Sequence, residues 1–243
     1  RRVERIPASV SGLPEATLAE RCDMAQKWQA QGFDSFKFAL PIADEGAVKE
    51  LKSLREALGG NARIAADLHW SLTAEESIDL ARELSSFNPW FLEAPVAPEC
   101  IEALRKVAKQ CEQKIAVGEE WRTLHEARMR IDREACHIVQ PEMGHTGITE
   151  FLRIGRHAEK YGLTVIPHAT IGSGIFLAAS LQAAASLDCA TDHEYQHSIF
   201  GPFRHFTGDR LRCEEGAFTV LDAPGLGVEP SEAMKKAITL IPA

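Results

Sequence analysis

Polar residues recur at a fixed interval along this chain, each directly after a short apolar run. Asp67, Glu93 and Glu119 follow one another at intervals of 26 residues, and the same interval separates His168 from Glu194. This interval suits a strand–helix–strand unit, which takes about 30 residues when both strands are counted. The chain is therefore predicted to be a series of βα units that each place one polar side chain at the carboxyl end of a strand.

The segments between these residues alternate between strand and helix patterns throughout. Eight strand-like runs can be counted, the eighth over residues 188–193. This alternation predicts an α/β fold, and more specifically a (β/α) TIM-type barrel rather than an open sheet. The length of 243 residues fits one such barrel, and the missing G-x-G-x-x-G motif argues against a Rossmann fold. We expect the catalytic barrel over residues 1–200 and a C-terminal segment over residues 201–243.

Composition narrows the classes of partner. A net charge of −8 and a pI near 5.6 argue against nucleic acid or an anionic membrane surface. No apolar stretch approaches the ~20 residues that a membrane-spanning helix needs. The six cysteines lack any C-x-x-C pairing and are typical of reduced thiols, which predicts a cytoplasmic protein.

The three carboxylates at matched spacing predict a metal site. Asp67, Glu93 and Glu119 would point into one barrel mouth, where they would repel one another unless a cation held them. A helix cap or a solvated loop charge explains any one of them alone, but three at strand ends favour a shared ligand. Hard oxygen donors suit Mg²⁺, and Mn²⁺ fits the same set.

His168 is the candidate general base of the same mouth. It follows an apolar strand, and Glu142, which we assign to the preceding strand, could hold its other ring nitrogen and raise its basicity. An ordinary buried histidine is the simpler alternative. The carboxylate one unit earlier favours the catalytic interpretation.

Six short motifs together resemble the enolase superfamily, and more closely its mandelate-racemase subgroup. They are Phe36-Lys37-Phe38, Asp67-Leu68-His69, Leu92-Glu93-Ala94-Pro95, Gly118-Glu119-Glu120-Trp121, Gln140-Pro141-Glu142 and Pro167-His168. The resemblance implies a modified, enolase-like barrel whose active site is completed by an N-terminal α+β capping domain. Because the sequence opens on a strand-like segment at Arg1, we expect that domain to be missing here. The tail after Phe200 resembles the segment that packs back toward the capping-domain side.

The resemblance also implies a reaction. Members of this family abstract the proton α to a carboxylate and stabilise the resulting enediolate on Mg²⁺, with a Lys or His base. Two departures bear on this chain. Ala39 stands where related racemases carry the second lysine of a Lys-x-Lys pair, and Glu142 stands where an aspartate is usual. Two-base racemisation is therefore disfavoured.

Because the second lysine is absent, His69 becomes a candidate catalytic residue. It lies two residues after Asp67, so strand alternation predicts that it points to the same face. In relatives that dehydrate sugar acids, a histidine at this position acts as general acid on the departing 3-hydroxyl.

We therefore predict a Mg²⁺-dependent acid-sugar dehydratase, a lyase similar to those acting on galactonate or galactarate. The runner-up is an epimerase, racemase or cycloisomerase that uses His168 alone or with His145, and an inactive barrel fragment or binding scaffold is the alternative from another class. The partner is expected to be a small acid-sugar, and the assembly a homo-oligomer. The assigned residues are Lys37, His69, Glu142 and His168 for catalysis, Lys37, His145 and Glu194 for substrate, and Asp67, Glu93 and Glu119 for the metal.

Overall fold

A computed structural model describes residues 3–169 and 174–238 of the chain, in which strands and helices alternate. The strands of the barrel are β1 Arg5–Ser11, β2 Ser35–Ala39, β3 Arg63–Asp67, β4 Leu92–Glu93, β5 Ile115–Val117, β6 Ile138–Val139, β7 Thr164–Val165 and β8 His193–Tyr195. The helices are α1 Leu18–Gln29, α2 Ala47–Leu58, α3 Ala74–Leu84, α4 Ile101–Gln110, α5 Leu124–Ile131, α6 Met143–Lys160, α7 Ile175–Ala184, α8 His197–Phe203 and α9 Glu232–Ala237.

The strands close into a ring. β1 pairs in parallel with both β2 and β8, and β2 to β7 pair with one another in chain order. Pairing between β7 and β8 is less regular: among the described residues a bridge joins Val165 to Ala190, and the amide of Glu194 donates to the carbonyl of Pro167 at 3.2 Å. The predicted (β/α) barrel is confirmed.

The eighth strand lies later in the chain than the sequence pattern predicts. It begins at His193 and pairs this residue with Ala8, whereas the prediction placed the strand over residues 188–193. The chain just after α7 is still turning, because the amides of Ser186 and Leu187 donate to carbonyls at the end of that helix. Glu194 consequently lies within β8 and not beyond it.

Three helices begin with the same capping device. A threonine hydroxyl accepts the amide of the third helical residue, a glutamate, whose carboxylate accepts the amide of the threonine in return. The pairs are Thr17 with Glu20, Thr73 with Glu76 and Thr123 with Glu126. The start of α1, α3 and α5 is thereby fixed close to the strand that precedes each of them.

The barrel interior changes character along its axis. A small separate cluster of buried apolar side chains fills the part away from the mouth, where Ala65, Ala116 and Ile138 are at most 1% exposed. Parallel pairing aligns Lys37 with Ala65 and Asp67 with Glu93, so the same inward face turns from apolar to ionisable toward the carboxyl ends. The charged layer sits at the end of the barrel where (β/α)₈ enzymes place their active sites.

The C-terminal segment returns to the first strand. Strands β9 Cys213–Glu214 and β10 Ala217–Thr219 form a hairpin, and β10 pairs antiparallel with the beginning of β1, opposing Ile6 with Phe218. Among residues 3–169 and 174–238, no helix combines the length and apolar character that crossing a membrane requires.

Candidate active site

The structure brings most of the predicted site residues to the carboxyl end of the barrel. Lys37 and Glu194 lie within β2 and β8, Asp67 and Glu93 end β3 and β4, and Glu119, Glu142 and His168 lie two or three residues beyond β5, β6 and β7. Seven side chains with ionisable groups therefore face one mouth.

A glycine aims the third carboxylate. Strand β5 ends at Val117, and Gly118 has a φ of 129°, which L side chains rarely adopt. A side chain at this position would also meet the ring of Trp121 and the amide nitrogen of Gln140 at 3.1 Å. Only glycine lets the chain turn here and present Glu119 to the mouth.

Lys37 lies between two buried carboxylates. Its Nζ donates to Glu93 Oε1 at 2.6 Å and also bonds Glu194 Oε1. The amide of Gln140 donates to the second oxygen of Glu93 at 2.7 Å, and the backbone amide of Ala169 donates to the second oxygen of Glu194 at 2.8 Å. Lys37, Glu93, Gln140 and Glu194 are each at most 6% exposed as whole residues.

One ammonium group cannot neutralise two buried carboxylates, and the pKa values reflect this. Burial lowers the pKa of Lys37, but Glu194 and Glu93 outweigh it and raise that pKa well above the ordinary value. Burial raises the pKa of Glu93 to about 8, with repulsion from Asp67 and Glu194 opposing the attraction of Lys37. Despite its burial, Glu194 keeps a pKa of about 2 because Lys37 and His168 lie near it. The cluster is rich in acid and short of positive charge.

His168 is held on both ring nitrogens. Nδ1 lies 2.7 Å from Glu142 Oε2, and Nε2 lies 2.7 Å from Glu119 Oε2. Burial lowers the pKa of His168, but the charge of Glu194 and the hydrogen bonds to Glu119 and Glu142 raise it well above the ordinary value. The imidazole is therefore oriented by Glu142 and turned toward the carboxylate predicted to bind metal.

Glu142 lies outside the strand to which the sequence pattern assigned it. Strand β6 ends at Val139, and Glu142 is the residue that caps helix α6. Its Oε1 accepts the backbone amide of Gly144 at 2.9 Å, which leaves Oε2 for His168. The longer glutamate side chain thus folds back on its own helix start and still reaches the imidazole.

The donor set at the mouth suits a divalent cation in its chemistry. Three hard carboxylates stand on neighbouring strand ends, and burial together with repulsion from Glu119 raises the pKa of Asp67. In this side-chain arrangement, however, Glu93 is bonded to Lys37 and Glu119 to His168. Within the described ranges no three His, Cys, Asp or Glu side chains converge as a ready ligand group. Binding a cation would require Glu93 and Glu119 to exchange these partners for it.

His69 reaches the mouth by a different route from the predicted one. The alternation of a strand does not extend to it, because β3 ends at Asp67 and both His69 and Trp70 have left-handed backbones, with φ of 52° and 55°. Its side chain is exposed, and Nδ1 lies 3.8 Å from Asp67 Oδ2. Each left-handed residue costs roughly 1–2 kcal/mol, so this turn is strained where it adjoins the candidate metal ligand.

Hydrogen bonds hold that turn in place. The amide of His69 donates to Asp67 Oδ1 at 2.9 Å, and the amide of Trp70 donates to the carbonyl of Ala94 at 2.7 Å. Ala94 is itself left-handed, with a φ of 46°. Backbone strain of this kind clusters at functional sites.

A cavity of about 310 Å³ opens above the imidazole of His168. Its wall includes Trp70, Glu119, Glu142, His145, His168 and Phe176. His145 lies on the first turn of α6, where its Nδ1 is 2.9 Å from the carbonyl oxygen of Glu119. The volume is at the lower end of the range for small-molecule sites.

Some residues of the site were not assigned to it from sequence. Gln140 donates a hydrogen bond to Glu93. Strand alternation places Gln140 on the same face as Ile138 of β6, so the sequence pattern could have indicated it. Trp70 and Phe176 line the cavity from a strained turn and from the start of α7, which no periodic pattern indicates. Glu120 also lines it and has a pKa raised by burial.

Comparison with known proteins identifies relatives. Residues 20–234 match the family described as enolase C-terminal domain-like. A D-galactonate dehydratase from Xanthomonas euvesicatoria pv. vesicatoria is 31% identical over 86% of this chain, and a D-galactarolactone cycloisomerase from Agrobacterium fabrum is 28% identical over 85%. The chain spans 59% and 57% of the lengths of these two relatives.

Solved structures share the fold. A candidate isomerase from Sinorhizobium meliloti is 52% identical, with a TM-score of 0.95 over 97% of this chain and 63% of that protein. A racemase from Streptomyces coelicolor A3(2), solved with bound magnesium, is 22% identical, with a TM-score of 0.85 over 96% of this chain and 63% of that protein.

The family match covers most of the chain, and the barrel and its ring of carboxylates agree with it. The chain therefore belongs to the enolase C-terminal domain-like family, in the mandelate racemase part of the enolase superfamily.

Proposed function

We propose that this chain is the barrel of a Mg²⁺-dependent acid-sugar dehydratase, which removes the proton α to a carboxylate and eliminates the 3-hydroxyl. The observation that carries the proposal is His168, held by Glu142 at 2.7 Å and directed at the carboxylate mouth. The galactonate dehydratase among the relatives supports the reaction class. The magnesium of the Streptomyces racemase supports the choice of cation, and Mn²⁺ suits the same donors.

His168 is the proposed base. Glu142 keeps Nδ1 in a fixed hydrogen bond, so Nε2 is the atom that accepts the substrate proton once Glu119 has exchanged it for the cation. A paired carboxylate of this kind orients the imidazole and stabilises its charged form after proton transfer. The backbone amide of Gly144 fixes the other oxygen of Glu142, which limits rotation of the pair.

Asp67, Glu93 and Glu119 are the residues that would hold the cation. When bound, Mg²⁺ supplies positive charge to the substrate carboxylate, which makes the α-proton more acidic. Lys37 and Glu194 lie next to these ligands, since Lys37 forms ion pairs with both Glu93 and Glu194. Both residues are at most 6% exposed. We assign to Lys37 the task of balancing the acidic layer and to both residues a place under the substrate carboxylate.

His69 is the proposed acid for the leaving hydroxyl. It is exposed to the mouth and lies near Asp67, so it can reach a group bound beside the cation without competing with His168. Separate histidines for the two proton transfers are consistent with Ala39, which leaves β2 with Lys37 as its one lysine.

An isomerase is the second candidate. The cycloisomerase relative and the Sinorhizobium structure favour it, and His145, which lines the same cavity, offers a further titratable group. In that reaction the substrate would be rearranged without loss of water. A barrel that binds an acid-sugar without turning it over is the candidate from another class.

A substrate panel separates these candidates. The purified protein is incubated with Mg²⁺ and a set of aldonic acids, aldaric acids and their lactones, in water and in deuterium oxide. A keto product that reacts with semicarbazide supports the dehydratase. Ring opening, or deuterium uptake at the α-carbon without a keto product, supports the isomerase and overturns the proposal. Binding with neither change supports the scaffold.

Matched histidine variants serve as controls for the panel. His168→Asn should abolish every reaction in it. His125→Asn changes an exposed histidine on α5 that does not line the cavity, and should react as the parent protein does.

A further inference from the structure

Gln140 is the neutral member of the buried network around Lys37. It is 1% exposed, and its side-chain Nε2 donates to Glu93 Oε2 at 2.7 Å, with a longer bond of 3.4 Å to Glu194 Oε1. Ionised carboxylates only accept hydrogen bonds, so the nitrogen end of this amide is the end that faces them. Gln140 therefore supplies donors to the acidic layer without adding a charge to it.

The backbone around Gln140 is fixed by its neighbours. Its amide donates to the carbonyl of Val117 at 2.9 Å, which ties it to the end of β5. Pro141 follows it, and a residue before proline is confined to extended conformations. Gly118 lies so close that a side chain there would meet the backbone nitrogen of Gln140 at 3.1 Å. The position of the Gln140 side chain is therefore set by the end of the barrel and does not depend on Glu93.

The two oxygens of Glu93 have different partners. Oε1 accepts from Nζ of Lys37 at 2.6 Å, and Oε2 accepts from Gln140. The ammonium group of Lys37 would be repelled by a cation on Glu93, whereas the neutral amide of Gln140 would not. Lys37 also bonds Glu194, so it can leave Glu93 and keep a carboxylate partner. Oε1 is therefore the oxygen that can change its partner.

We infer that Gln140 is a positioning residue, which holds Glu93 at Oε2 while Oε1 exchanges Lys37 for the cation. The inference rests on the proposed function, which makes Glu93 a cation ligand. It adds a distinction between two donors to the same carboxylate: Gln140 supports the ligand, and Lys37 competes with the cation. Residues that orient a metal ligand in this way typically contribute roughly 10–100-fold to metal affinity.

Variants of the two donors should change the affinity for Mg²⁺ in opposite directions. Gln140→Met has a similar shape without a donor, so Mg²⁺ should bind roughly 10–100-fold more weakly. Lys37→Met removes the competing ammonium group and should bind Mg²⁺ at least as tightly as the parent does. Calorimetry with Mg²⁺ and no substrate measures both, so neither result depends on turnover. Gln110→Met, at the exposed end of α4, is the matched control and should bind as the parent does.

A charged donor at the same place separates positioning from stability. Gln140→Lys can still donate toward Glu93, but its ammonium group adds the positive charge that the acidic layer lacks. Without Mg²⁺ its free energy of unfolding in urea should equal or exceed that of the parent. Its Mg²⁺ affinity should nevertheless fall at least as far as in Gln140→Met. A residue that served the fold alone would change both quantities in the same direction.

NMR of the side-chain amide tests the parent protein itself. In an isotope-labelled sample, the Gln140 amide pair is the signal that Gln140→Met lacks. Its protons should stay slow to exchange with solvent before and after Mg²⁺ is added, because the bond to Oε2 is kept. Fast exchange after the addition of Mg²⁺ would show that Gln140 leaves Glu93, and would overturn the inference.

The calorimetry can also overturn it. Equal Mg²⁺ affinity in Gln140→Met and the parent, or a similar loss in Gln140→Met and Lys37→Met, contradicts the distinction between the two donors. A parent protein that binds neither Mg²⁺ nor Mn²⁺ removes both the inference and the proposed metal site.

The inference and the proposed function also fail separately. Mg²⁺ binding that depends on Gln140, in a protein that dehydrates no sugar acid, would leave the inference standing and remove the dehydratase. Dehydration by a parent protein whose Mg²⁺ affinity does not depend on Gln140 would do the reverse.

Discussion

Two groups of buried charged side chains in the described part of this molecule differ in whether their positive and negative charges balance. Between α1 and α2, Arg21 is fully buried and makes two hydrogen bonds of 2.7 Å to Glu50, with Asp44 and a backbone carbonyl as further acceptors. At the barrel mouth, Lys37 lies between Glu93 and Glu194. One group joins two helices and the other underlies the candidate active site.

The difference is in the balance of charge. Arg21 satisfies one buried carboxylate completely, and its other acidic partner, Asp44, is 57% exposed to water. Lys37 has two buried carboxylates to neutralise, with Asp67 adding to their repulsion. The Arg21–Glu50 ion pair has balanced charges and holds α1 against α2. The group around Lys37 has excess negative charge, so it retains affinity for a further cation. Variants of the two groups should therefore lose different properties.

The largest effect is expected for Glu93→Gln. We expect turnover to fall by more than about 10⁴-fold and Mg²⁺ affinity to fall, because a charged ligand is lost. The free energy of unfolding should stay within about 1 kcal/mol of the parent value, since the substitution removes an under-neutralised buried charge. Calorimetry with Mg²⁺ and urea unfolding measure the two quantities. Glu83→Gln, on the exposed side of α3, is the matched control, and an unchanged Mg²⁺ affinity in Glu93→Gln would remove this residue from the ligand set.

The two histidines should separate the steps of the reaction. His168→Asn should lose both α-hydrogen exchange and elimination, by 10²–10⁴-fold as general acid–base groups typically contribute. His69→Asn should retain exchange with deuterated solvent, and should still eliminate fluoride placed at C3, which needs little acid assistance. NMR of the recovered substrate and fluoride release measure the two steps. Exchange that survives in His168→Asn and disappears in His69→Asn would reverse the assigned roles.

For the Arg21–Glu50 pair, the property expected to change is the free energy of unfolding. Arg21→Met leaves Glu50 buried without a partner, so we expect a loss of about 3–5 kcal/mol in the free energy of unfolding. The double change Arg21→Met with Glu50→Leu should recover most of it. Arg82→Met, which removes an exposed pair with Asp79, should cost less than about 1 kcal/mol. A loss for Arg21→Met no larger than that for Arg82→Met would contradict the comparison.

The smallest effect concerns His193, on the outer side of β8 next to Glu194. Burial lowers the pKa of His193 below its ordinary value of 6.5, and Nε2 is bonded to Ser180 at 2.8 Å. The unfolded chain therefore takes up this proton first as the pH falls below 6.5, and stability is lost with it, by at most about 1.4 kcal/mol per pH unit. In His193→Gln the free energy of unfolding should change less between pH 6.5 and 5 than in the parent. Equal slopes in the two proteins would show that His193 does not set the pH dependence.

The order of elements could be predicted from sequence because apolar runs and helical periodicity recur with the spacing of βα units. The exceptions have local causes. Helix α8 was not predicted because it contains Gly201 and Pro202, which usually interrupt helices. Within α6, Gly147 has non-helical backbone angles (φ 61°, ψ 174°), so a short helical stretch that carries Gly144 and His145 precedes a kink and the longer helix that follows it.

The candidate site residues could be named from strand ends, and so could the pairing of Glu142 with His168, but the partners of Lys37 and Glu119 could not. Which carboxylate faces Lys37 and which faces His168 depends on side-chain rotamers and on the turn at Gly118. The position of Trp70 depends on two consecutive left-handed residues, which strand alternation cannot indicate. Periodicity therefore locates a site, whereas turns and rotamers decide its shape.

The pairing of β1 also has a consequence for how the chain is made. Its partner β8 is synthesised late, since Ala8 pairs with His193, and β10 follows later still. At 5–20 residues per second, a ribosome takes about 10–40 s to make the intervening chain. For that time one edge of β1 has no strand to bond, and an open edge is a site of aggregation. The barrel of this protein can close only after β8 has been synthesised.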